Sequence, residues 1–162
     1  MFGKPFAEYV RFVKPALVVI AAVWAVRLGL SLAGVSPSVG RYASVTTVVL
    51  AAMVYYGWAV HAKGFGSFQQ LYPLNLVLGV FSQTLVALAI VLAIVMGRDN
   101  IYTIPEFYPP SQGGAPLPTD GKNLGHAAAH IVLAGSIVMP LLGWLVGSLV
   151  LFVTRKTSAG KA

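Results

Sequence analysis

Two histidines four residues apart, His126 and His130, are the side chains of this 162-residue sequence whose type and spacing best suit chemistry. On a helix, positions i and i+4 share one face, so a single segment can offer two imidazoles to one metal ion. A complete coordination sphere needs more donors, and the nearest carboxylates in sequence are Asp99, Glu106 and Asp120. The competing role is structural, with both rings hydrogen-bonded at headgroup level to lipid, loop carbonyls or water. A haem held by this pair alone is disfavoured, because axial ligands approach opposite faces of the porphyrin while i, i+4 side chains lie alongside each other. His61 cannot replace either one within a single chain if it lies at the other end of the bundle, as the topology below requires. A haem shared with another subunit stays open.

Arg27 is the other unusual residue. It lies about eight residues inside an apolar run, a depth of ~12 Å at the helical rise. Charge at that depth faces a cavity, a partner or the bundle interior, unless the long stem lifts the guanidinium to the headgroups. No acid lies in the same apolar runs, so a counter-ion would come from Asp99, Glu106, Asp120, a lipid headgroup or a ligand. Arg27, Tyr102, Glu106 and Tyr108 form a candidate ligand- or partner-binding set, with a quinone carbonyl as one acceptor for it. Gln83, flanked by Ser82 and Thr84, sits in the middle of another apolar run, where an amide most simply bonds a neighbouring helix. Adjacent Tyr55 and Tyr56 point in different directions on a helix, so at least one should face a neighbouring helix or partner. The sequence has no cysteine, which removes disulfides, thiolate metal sites and cysteine nucleophiles together. It has no nucleophile–base–acid set and no phosphate-binding glycine loop.

The elements that must position these residues are four apolar stretches, at about 15–35, 45–62, 74–96 and 127–153. Each approaches the ~20 residues that a spanning helix needs, and lipid leaves the backbone no other way to satisfy its polar groups. Hydrophobic residues make up 57% of the chain and charged ones 9%, against about a quarter charged in soluble domains. The expected fold is an all-α integral membrane protein: one four-transmembrane-helix bundle, up-down-up-down, over residues 1–162. Residues 1–14 are expected to form a short interfacial helix, with Phe2, Phe6, Tyr9, Val10 and Val13 on one face. Residues 97–125 form a long outer loop between the third and fourth spans, whose first half, with Ile101, Tyr102, Ile104, Phe107 and Tyr108, is apolar enough to cap the bundle. Residues 154–162 are a tail.

One side then carries Lys4, Arg11, Lys14, Lys63, Arg155, Lys156 and Lys161, and the other Arg41, Arg98 and Lys122. Seven Lys/Arg against three put both termini in the cytoplasm of a bacterial-type inner membrane. Arg27 interrupts the apolar core of any cleaved signal peptide, so the first span is expected to be retained. Gly143 and Gly147 form a GxxxG pair, Ser136 shares their stripe at helical spacing, and Gly29 with Ala33 forms a weaker one; such rows mark close helix contacts. Pro140 is expected to kink the fourth span.

The net charge of +7 is concentrated at span ends, the pattern of membrane insertion rather than of nucleic-acid binding. The lipid bilayer is one partner, and other membrane subunits or further copies of the chain are expected as well. Three functions follow in order: an accessory or anchor subunit of a larger, energy-converting membrane complex; a metal- or quinone-handling redox protein with its site on the outer face; and a small-solute transporter or channel. The absent catalytic sets lean away from an enzyme, and any cofactor is left as a metal ion or quinone.

Overall fold

A computed structural model describes residues 2–40, 42–103 and 122–159. Over those residues the chain is entirely helical, and four helices are long and apolar enough to cross a membrane. It is a four-helix membrane bundle.

The first span is α1, Phe6–Leu32. It runs straight through Pro15, so residues 6–14 are not the separate interfacial helix expected from their amphipathic pattern. The missing Pro15 N–H removes one helical bond, to the Arg11 carbonyl. The expected apolar face is divided: Tyr9 and Val13 are fully buried while Phe2 and Phe6 stay exposed, Tyr9 meets Phe65 edge-on, and Phe12 stacks on Phe65 with centroids 4.0 Å apart. At 27 residues the helix is ~40 Å long, more than the ~30 Å hydrocarbon core.

A single turn, α2 (Pro37–Gly40), leads to α3, Val45–Ala62. Ser44 Oγ caps α3 by accepting from the Thr47 N–H at 3.1 Å. The third span, α4, is Phe68–Met96 and starts six residues earlier than the apolar run suggested. Its start is set by polar contacts: the Ser67 N–H donates to Gln70 Oε1 at 2.7 Å, and Gln70 Nε2 donates to the Phe2 carbonyl at 2.9 Å. Gly97 ends α4 at φ 65°, a left-handed conformation that glycine adopts without steric cost.

The fourth span has three parts. Asn123 caps α5, Leu124–Ala129, through the His126 N–H at 2.7 Å. A π-helical segment, His130–Val138, follows, and then α6, Met139–Ala159. A kink at Pro140 was expected; a wide turn immediately before it is found. Proline has no N–H for the carbonyl four residues back and crowds that carbonyl, and widening the preceding turn relieves both problems. The Met139 N–H accordingly bonds the Ala134 carbonyl, five residues back.

The central pair is α3 and α4. Both α1 and the fourth span pack on that pair, and among the described residues α1 and α6 do not touch. Burial follows the same plan, with 56% of the apolar window of α4 buried against 17% in α1.

Candidate polar site between the third and fourth spans

The fourth span lies against one stripe of α4: Leu71, Asn75, Gly79 and Gln83, successive i+4 positions and therefore one face. Gly147 faces Leu71 and also the backbone of Gly57 on α3. Gly143 faces the Asn75 side chain, leaving no room for a Cβ. A Cβ on Gly79 would come within 2.6 Å of the Gly135 carbonyl, so the two backbones nearly touch there. Small residues thus make the interface, in the usual manner of membrane helices. Ser136 is partly buried and bonds back to the Ile131 carbonyl at 2.9 Å. Gly29 looks into open space and Ala33 is exposed, so neither makes a close helix contact among the described residues.

Above Gly135 the register changes. Steps of four lead from Gly147 through Gly143 and Met139 to Gly135, and a regular helix would next present Ile131. The π segment inserts one extra residue into that turn and presents His130 instead. Its Nδ1 lies 2.6 Å from Oε1 of Gln83, which is buried. A carbonyl oxygen only accepts, so with the amide placed this way Nδ1 carries the ring proton and Nε2 presents its lone pair. That Nε2 lies 3.3 Å from Nε2 of His126, with the rings perpendicular at 4.7 Å. Two nitrogens bound at ~2.0–2.1 Å to a tetrahedral metal ion would be about 3.3 Å apart. The same separation accommodates one N–H···N hydrogen bond in the metal-free protein.

Gln83 is thirteen residues from the Met96 end of α4, ~20 Å of helix, so His130 beside it lies level with the middle of that helix.

The other expected site residues fall elsewhere. Asp99 accepts from Thr103 Oγ1 at 3.2 Å and pairs with Lys122 at 3.7 Å. Glu106, Tyr108 and Asp120, with the Ile104 and Phe107 expected in the cap, lie outside the described residues. Among the described residues no three His, Asp or Glu gather as a metal cluster. Arg27 is buried, not raised to the surface, and its guanidinium lies 5.2 Å from the Tyr102 ring centroid. Tyr102 belongs to a turn folded back into the bundle. Asn100 Nδ2 donates to the Ala89 carbonyl at 2.7 Å, about two turns before α4 ends, and the Ile101 N–H donates to Ser31 Oγ at 2.9 Å. The Tyr102 hydroxyl donates to the Trp24 carbonyl at 3.4 Å. Arg27 and Tyr102 are therefore built from α1 and this turn, whereas the histidines are built from α4 and the fourth span.

Two features of the site were missed in the sequence. Asn75 is fully buried; its Nδ2 donates to the Leu71 carbonyl at 2.8 Å, and its Oδ1 has no hydrogen-bond partner among the described residues. The link from Gln83 to His130 was missed too. The signal available was the spacing Asn75-x-x-x-Gly79-x-x-x-Gln83, a polar and small stripe at i+4 steps within a mostly apolar helix. Comparison with family models, curated proteins and solved structures finds no match to this chain.

Proposed function

We propose that this polytopic membrane protein handles a divalent transition-metal ion, bound by Nε2 of His126 and Nε2 of His130 inside the bundle. The reading is carried by one observation: the two Nε2 atoms converge at 3.3 Å while Gln83 holds Nδ1 of His130 at 2.6 Å. An imidazole that ligates a metal almost always donates its other N–H to a carbonyl or carboxylate, which fixes both tautomer and ring direction. Imidazole donors without thiolates suit Zn²⁺, Cu²⁺ or Ni²⁺. Two protein ligands leave coordination positions for water, an exogenous ligand or further side chains. The charge rule puts both termini in the cytoplasm, so the pair is reached from the outer side.

The deciding experiment is metal analysis of the full chain purified in mild detergent, followed by titration with Zn²⁺ and Cu²⁺. Wild type is expected to bind one equivalent, and replacing both His126 and His130 with Ala is expected to abolish that binding. Unchanged stoichiometry in the double variant would overturn the assignment.

The accessory-subunit reading draws on a different feature, the apolar residues Leu133, Ile137, Leu141, Leu145 and Leu149 exposed along the fourth span. Lipid covers such a face as well as a partner helix does. Co-purification of a stoichiometric membrane partner would favour it.

A further inference from the structure

A second candidate site lies on the far side of the bundle, between α1 and α3. A groove of about 340 Å³ runs there, and its floor is made by the small side chains of Ala16, Ala51 and Ala52. Phe12 and Tyr56 wall one end, with ring centroids 5.4 Å apart and the Tyr56 hydroxyl donating to the Phe12 carbonyl at 3.3 Å. Lys63 and Tyr55 stand at its mouth. We propose that the groove holds an acyl chain of an anionic phospholipid, with the phosphate on the Lys63 ammonium and the Tyr55 hydroxyl.

Three observations select this occupant. The first is the direction of Lys63. It follows the end of α3, where a lysine normally extends into water, yet its Nζ turns back two helical turns to donate to the Tyr55 hydroxyl at 2.9 Å. The ammonium is thereby held over the groove, and among the described residues it has no carboxylate partner. An ammonium has three protons; the hydroxyl takes one, which leaves donors for a phosphate oxygen. The second is length. The α3 part of the lining runs from Tyr56 to Val48, eight residues or ~12 Å, and Lys63 carries it on toward the headgroups, enough to follow most of one acyl chain through a leaflet of ~15 Å. The third is charge. Next to the groove, α1 and the end of α3 bring Lys4, Arg11, Lys14 and Lys63 to this end of the bundle, with Glu8 already paired to Lys4 at 3.0 Å. An anionic headgroup is attracted there, and a zwitterionic one gains little. An acidic peptide would match the charge but would strand its backbone polar groups along an apolar groove open to lipid.

The test is native mass spectrometry of the full chain, released from nanodiscs made with phosphatidylglycerol and phosphatidylcholine of identical acyl chains. Wild type is expected to retain one phosphatidylglycerol, with a preference of about five-fold over phosphatidylcholine. Lys63→Gln should remove the preference and Lys63→Arg should keep it. Ala51→Phe, which fills the groove, should reduce retention of both lipids. Lys156→Gln, at an exposed position in α6, should change nothing. The proposal is overturned if wild type shows no preference, if Lys63→Gln retains it, or if Lys156→Gln removes it equally.

Discussion

At the scale of single residues, the site turns on Gln83. Its Oε1 is the acceptor that fixes the proton of His130 on Nδ1 and turns Nε2 toward His126. Replacing Gln83 with Leu keeps much of the volume and removes the acceptor. Metal affinity is then expected to fall about 10–100-fold, the usual loss when the partner behind a ligating histidine is removed. Gln83→Glu keeps an acceptor at the same reach and should retain affinity. Competition of purified protein against a chromophoric chelator reads both values. If Gln83 only packs the helices together, the Leu variant would lose thermal stability with unchanged affinity, and the positioning role would fail. The types of these residues were legible in the sequence, since a mid-membrane amide and an i, i+4 histidine pair each point to a bonding partner. Their pairing with each other was not, because it depends on which helices are neighbours and in what register.

At the scale of the elements, register is decided by the π segment. The GxxxG spacing of Gly143 and Gly147 was readable, and both glycines lie in close contacts. Carrying that stripe toward the start of the span at a constant 100° per residue would not bring His130 to α4, since the wide turn shifts every residue beyond it. The effect of Pro140 was foreseen as a kink, and the stretch before it, His130–Val138, is π-helical. Residues 6–14 show the converse: their amphipathic pattern is real, but Tyr9 and Val13 of its apolar face are buried in the bundle while Phe6 stays exposed, a distinction no pattern contains. Pro140→Ala restores the N–H that the Ser136 carbonyl lacks and permits a regular helix. His130 is then expected to rotate away from Gln83, lowering metal affinity at least tenfold while helical content by circular dichroism stays unchanged. Equal affinity in Pro140→Ala would mean that the π segment does not depend on the proline.

At the scale of the whole molecule, the bundle is a central pair flanked on opposite sides, with α1 and α6 out of contact among the described residues. The histidine site uses one flank and the Lys63 groove the other, so each should change without disturbing its counterpart. Energetics should be divided in the same way. Ile20 on α1 and Leu151 on α6 are both fully buried, and truncating either to Ala leaves a cavity that costs about 2–5 kcal/mol. Because their helices share no contact, the losses are expected to add within ~0.5 kcal/mol in the double variant. Reversible unfolding of the two single variants and the double variant in detergent micelles measures the sum. A coupling above ~1 kcal/mol would show that the central pair transmits strain from one flank to the other. Metal binding would then be sensitive to changes in the lipid groove. Additive losses mean that a variant which empties the groove leaves the metal affinity at its wild-type value.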